Sequence, residues 1–171
     1  MKELNKSNDK IKNYEYLLNN LSIIFDKNDH ILSNLSNFTA VYFDLFEKLN
    51  WCGFYFDDGK MLRLGPFQGK IACTNIDYNR GVCGKAFSKK ETLIVGNVHE
   101  FEDHIACDSA SNSEIVVPII VENKAIGVFD IDSFEFNNFD ETDKKYLNLI
   151  ILKLFTDIIN IDQLERIIKL N

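Results

Sequence analysis

Apolar residues recur at helical spacing at Tyr14, Leu17, Leu18, Leu21 and Phe25, which predicts a first helix after a polar, frayed start over residues 1–11. Beyond a polar break at residues 26–29 the pattern resumes at Ile31, Leu35, Phe38, Tyr42, Leu45 and Leu49, predicting a second helix of about five turns. At Trp51 the period changes. WCGFYFDDGKMLRLGPF holds two short apolar runs around Asp57-Asp58-Gly59 and reads as a β-hairpin, with a third strand expected near residues 69–74. GVCGKAFSKK predicts a short helix entered through glycine, and TLIVGNV a strand. Residues 99–112 show no periodicity. SEIVVPIIVENKAIGVFDID predicts two strands about Glu122-Asn123-Lys124, with Pro118 placed at an edge or bulge. Asp140 then caps a closing helix whose apolar face carries Leu147, Ile150, Ile151 and Leu154. Paired helices, hairpin-linked strands and closing helices together imply an α+β sandwich.

Composition narrows the class. With 171 residues, 46% of them hydrophobic, the chain can bury one sizeable core, and it has no internal repeat, low-complexity tract or interdomain linker. A net charge of −7 with no basic block argues against nucleic acid as a partner. The start lacks the apolar run of a signal peptide, and no segment reaches the length of a membrane span, so a cytoplasmic location is expected. In that reducing compartment, four cysteines are expected to be ligands, nucleophiles or small buried residues rather than structural disulfides.

Each cysteine takes its reading from its neighbours. Cys52, inside WCGFYF, reads as a small core hydrophobe. Cys73 and Cys83 sit beside glycine or polar residues, where packing and function are evenly matched. Cys107, between His104 and Asp108 and near His99, has the polar company that favours a thiolate. Zinc is one rival, but the order of Cys73, Cys83, His99, His104 and Cys107 lacks the close Cys-x2-Cys pairs of zinc sequences. An acyl-transfer pair of Cys107 with a histidine is another, though it leaves two cysteines unemployed. A redox cycle employs all three: one thiolate takes an oxygen from a substrate as a sulfenic acid, and a second thiol condenses with it. Glu114 opens one strand, while Asp130 and Asp132 alternate on a single face of another. If that face lines a pocket, the pocket is acidic; an ionised carboxylate there suits an ammonium group and a protonated one suits a departing oxide.

The runs GPFQGKIAC, RGVCGKAF, HIACDSASNSEIVVPI and IGVFDIDS resemble, in order and spacing, the free methionine-(R)-sulfoxide reductases, which are built on a GAF domain. The resemblance covers about residues 50–150, its most specific block running from His104 to Pro118. It implies a single GAF domain over residues 12–160, with a central, mostly antiparallel sheet of about six strands flanked by helices, and a helical tail over 161–171. The implied reaction is reduction of the free R-sulfoxide, not the peptide-bound form, with thioredoxin as reductant, a homodimeric enzyme, and no metal or organic cofactor. By the same resemblance Cys107 matches the attacking cysteine, Cys73 the principal resolving cysteine on a loop that must move, and Cys83 a third cysteine of the relay. Glu114, Asp130 and Asp132 match carboxylates that bind the oxide and amino group, and Trp51 an aromatic wall around the methyl end. The chain departs from the family pattern at Glu102-Asp103, where proline-glycine is common, and at Asn79, where glycine is common. A GAF-type sensor of small ligands or redox state is the alternative implied by the same fold.

Overall fold

The computed structural model describes residues 4–101 and 110–168. Six strands form one antiparallel sheet: β1 (Leu49–Asp57), β2 (Leu62–Gly69), β3 (Asn75–Ile76), β4 (Leu93–Val95), β5 (Ser113–Val121) and β6 (Lys124–Ser133). Their order is β3-β2-β1-β6-β5-β4, so the strands β1, β6 and β5 are central. Helices α1 (Lys10–Ile24), α2 (Ile31–Leu45) and α4 (Glu141–Lys153) bury one face, and α3 (Gly81–Lys89) covers the other. This is the expected α+β sheet with flanking helices.

The sequence pattern accounts for most of these elements. Period two along β1 sends Cys52, Phe54 and Phe56 toward α2 and Phe155, and Phe38, Phe54 and Phe129 form an aromatic cluster with centroids 4.7–5.7 Å apart. The β5–β6 turn places Glu122 and Asn123 at φ +48° and +64°, the paired left-handed geometry whose twist matches a two-residue hairpin. Pro118 lies two residues past the last β4 pair, Leu93 with Val116, and beside the bulge between Ile119 and Ile120. Among the described residues one side of β5 has no strand partner there, so a missing N–H interrupts no ladder.

Three boundaries differ from the sequence pattern. The second helix stops at Leu45 rather than Leu49, because Lys48 turns the chain at φ +65° and its carbonyl accepts from Ser133 Oγ at 2.7 Å, releasing Leu49 to β1. The third strand is Asn75–Ile76 instead of residues 69–74. The polar start begins its helix at Lys10, where Asp9 caps the Ile11 N–H at 2.9 Å, and buried Asn13 binds both Ser7 and the Leu45 carbonyl. At the other end α5 (Ile161–Ile168) follows a π-helical turn at Leu154–Ile158, and it seats Leu164 in the core. No described helix is long and apolar enough to cross a membrane.

Asp140 fastens the closing helix to the first. Its carboxylate accepts from the Thr142 and Asp143 N–H groups, Asp143 returns a bond from the Asp140 N–H at 2.7 Å, and Lys10 Nζ lies 2.8 Å from both carboxylates. The lysine hydrogen bond holds the Asp140 carboxyl down at about 2. Because the unfolded value is near ~3.9, this contribution is present above that pH and is lost as pH falls through the folded value. Because the ion pair is largely solvent-screened, Asp140→Ala is expected to cost mainly its cap, about 1 kcal/mol in urea unfolding at pH 7, and the difference from wild type should shrink below about pH 3.

Candidate active site

The second face of the sheet is built from the alternate residues of the same central strands. Trp51, Gly53 and Tyr55 of β1 share it with Glu114 and Val116 of β5 and with Val128, Asp130 and Asp132 of β6. Register sets Glu114 opposite Asp132, Val116 opposite Asp130, and Trp51 opposite Asp132 on the other side of β6. Three carboxyl groups from two neighbouring strands thus converge beneath α3, which supplies Cys83. A pocket with an empty volume of about 550 Å³, solvent at its mouth included, is lined by these acids, Cys83, Trp51, Tyr55, Ala72, Arg80 and Ser111 among others.

Burial decides the electrostatics. Glu114 and Asp130 are 6% and 7% exposed, and Cys83 3%. Loss of solvent, reinforced by the charges of Asp130 and Asp132, holds the Glu114 carboxyl well above the carboxylate range. Asp130 is also raised by burial, but hydrogen bonds from the Cys83 thiol and from Glu114 offset part of that rise. Burial likewise pushes the Cys83 thiol up, with Asp130 and Glu114 adding to the effect. Asp130 is therefore the acceptor of the group and Glu114 the carrier of its proton. Asp130 Oδ1 is buried without a hydrogen-bond partner among the described residues, which leaves one acceptor for a donor entering the pocket.

The aromatic wall depends on two glycines. A Cβ at Gly53 would meet Phe67 Cβ at 2.4 Å and the Trp51 ring at 2.5 Å, and one at Gly69 (φ +127°) would meet the Asn50 carbonyl and the Trp51 ring at 2.6 Å. The Trp51 indole occupies the space they leave, stacked on Phe67 at 5.5 Å and on Tyr55 at 5.9 Å. Entry into α3 is equally specific. Asn79 sits at φ +65°, a conformation that asparagine tolerates better than most residues, so the turn into the helix is kept without a glycine. Among the described residues no side chain caps α3, and its first residues, Gly81 and Val82, line the pocket.

The structure brings Cys83, Glu114, Asp130, Asp132 and Trp51 of the expected set into one pocket. Cys73 is half-buried beside it, disulfide-bonded, with its carbonyl accepting from Tyr55 Oη at 3.0 Å. Cys107 and His104, like Glu102 and Asp103, lie outside the described residues. His99 does not line the pocket; its ring faces Asn112 Oδ1 at 2.9 Å. Cys52 lies fully buried on the opposite face, with its thiol 3.5 Å from the Thr39 carbonyl. Among the described residues, Cys83, Glu114 and Asp130 hold their donor atoms within 4.8 Å of one another, a set different from the cysteine and histidine set weighed for zinc. Sequence reading missed Tyr55 and Arg80. Tyr55 was detectable, since period two puts it on the face of Trp51 and Asp130; Arg80 precedes α3 and offers no such signal.

A six-stranded antiparallel sheet with helices on both faces and a pocket beneath the short helix defines the GAF class. The GAF domain model matches residues 29–151, and the chain belongs to that family. Within it, the chain is 46% identical over 123 residues to the free methionine-R-sulfoxide reductase of Escherichia coli (strain K12), covering 72% of this chain and 74% of the relative. It is 43% identical over 141 residues to the enzyme of the same name from Saccharomyces cerevisiae, covering 78% of each. The structure of free methionine-R-sulfoxide reductase from Neisseria meningitidis in complex with its substrate superposes with a TM-score of 0.83 at 41% identity, over 97% of this chain and 95% of that one.

Retaining a buried proton on Glu114 has a cost that pH exposes. A carboxyl raised on folding leaves the protein most stable below the unfolded value, near ~4.3, and that stability is lost as pH rises toward the folded value. Glu114→Gln removes the titration while keeping the shape. It is expected to raise Tm by at least about 2 °C at pH 8 and by less at pH 5, measured by calorimetry on ligand-free protein.

Proposed function

We propose that this protein reduces free L-methionine-(R)-sulfoxide to methionine. The observation that carries the reading is the buried acid cluster: Glu114 and Asp130 are almost fully excluded from solvent, and Asp130 Oδ1 has no partner among the described residues, beneath an aromatic wall and beside the Cys83 sulfur. The substrate's ammonium fits the ionised acids, its methyl end the face of Trp51, and its oxide a carboxyl that can donate a proton. A peptide-bound residue has an amide where the free amino acid has an ammonium, so it would leave buried carboxylates without their partner.

In the proposed cycle the Cys107 thiolate attacks the sulfoxide sulfur. The oxygen takes a proton from Glu114 and passes from the substrate sulfur to the Cys107 sulfur while the transient sulfur–sulfur bond breaks, so that methionine leaves, Cys107 becomes a sulfenic acid and Glu114 is left ionised. Condensation with the Cys73 thiol forms a disulfide and releases water, and Cys83 stands as the alternative or further thiol of the relay. Thioredoxin, a dithiol, then takes over the disulfide and is itself oxidised, restoring both thiols. No metal or organic cofactor enters these steps. We further propose a cytoplasmic homodimer as the working form, the compartment following from the need for reduced thioredoxin.

The test is thioredoxin-coupled NADPH oxidation with the free R-sulfoxide beside its S epimer and a peptide-bound R-sulfoxide. Turnover is expected with the free R form alone, lost in Cys107→Ser, whereas Cys73→Ser should release about one methionine per chain and then recycle poorly. Absence of turnover with all three substrates in reduced, folded protein would favour a ligand-sensing GAF module instead.

A further inference from the structure

The segment that carries Cys73 leaves β2 at Gly69 and rejoins the sheet at Asn75. Ile71 is 90% exposed and gives this stretch no apolar anchor, although Ala72 packs against the pocket-side core. Two pocket aromatics reach it instead. The Trp51 indole N–H donates to the Lys70 carbonyl at 3.1 Å, and the Tyr55 hydroxyl donates to the Cys73 carbonyl at 3.0 Å. At the far end the Leu64 N–H donates to the Thr74 carbonyl at 3.0 Å. The two rings stack on each other, and both face the pocket occupied by the acids.

We infer that Trp51 and Tyr55 act as a two-point clamp, positioning residues for the resolving sulfur, which holds the backbone of residues 70–73 in its disulfide-bonded arrangement through hydrogen bonds from the wall of the substrate pocket. The inference rests on the reductase reading for its biological meaning and on the two hydrogen bonds for its geometry. Whatever presses on the aromatic wall acts on the clamp, so occupancy of the pocket and the position of Cys73 are coupled. Burial, with Asp130 contributing, keeps the Tyr55 phenol protonated far above neutral pH, so its donor is available throughout the working range.

Tyr55→Phe and Trp51→Phe each remove one donor while keeping an aromatic ring. The midpoint of the Cys73 disulfide is read in dithiol redox buffers by thiol labelling and mass spectrometry of the whole chain. Each variant should make the disulfide about tenfold easier to reduce, the loss expected for one buried hydrogen bond, which is a shift of about 30 mV toward less negative potential. In single turnover, disulfide formation after sulfoxide addition should slow by more than methionine release does. A lowered Tm with unchanged midpoints in both variants would assign the rings to packing alone and overturn the clamp. Failure of wild type to reduce the sulfoxide would count against the reductase reading, and the midpoints would still decide the clamp.

Discussion

Like charges cannot share a small dry space, and that constraint organises the working half of this protein. Glu114 and Asp130 come from adjacent central strands, are almost fully buried, and cannot both ionise without a cation between them. The sheet resolves the conflict by leaving the proton on Glu114 and giving Asp130 two donors, one of them the Cys83 thiol. On the proposed function, the same arrangement is suited to an amino acid that brings an ammonium group and needs a proton. The affinity of the site and its strain thus have one origin.

The opposite face makes that strain affordable. Phe38, Phe54, Phe129, Leu35, Leu147 and Ile150 are fully or almost fully excluded from water, each contributing about 2 kcal/mol of apolar burial. Strands β1, β5 and β6 are therefore anchored by large side chains on one side, which leaves their other side free to hold acids, glycines and a thiol. The alternation of period two is what lets one strand serve both layers. Cys52 and Gly53 are adjacent in sequence, yet one fills the apolar core and the other makes room for the indole.

Much of this was legible in the sequence because it depends on spacing. The alternation in VFDID placed Asp130 and Asp132 on one face, the Glu122-Asn123-Lys124 turn joined their strand to that of Glu114, and WCGFYF marked Cys52 as core, whereas the places of Glu114 and Trp51 in the pocket came from the family resemblance. What spacing could not reveal was anything decided by a hydrogen bond between distant segments. The second helix ends four residues early because Ser133 captures the Lys48 carbonyl, and the stretch after Gly69 is held by aromatic donors rather than by a strand ladder. Cys107, the residue on which the family resemblance placed the chemistry, lies outside the described residues, and its assignment rests on the motif around it.

The glycines of the pocket wall carry a consequence for how this site can change over evolutionary time or by design. At Gly53 the smallest added side-chain atom would sit 2.5 Å from the Trp51 ring and 2.4 Å from Phe67, and at Gly69 it would collide with backbone as well as with the indole. Those positions cannot be enlarged to tune the cavity, because they are already filled by their neighbour. On the proposed reading, in which the alkyl end of the substrate meets the face of Trp51, room for a bulkier alkyl sulfoxide on that wall comes from trimming the indole, and the Lys70 tether is lost with it.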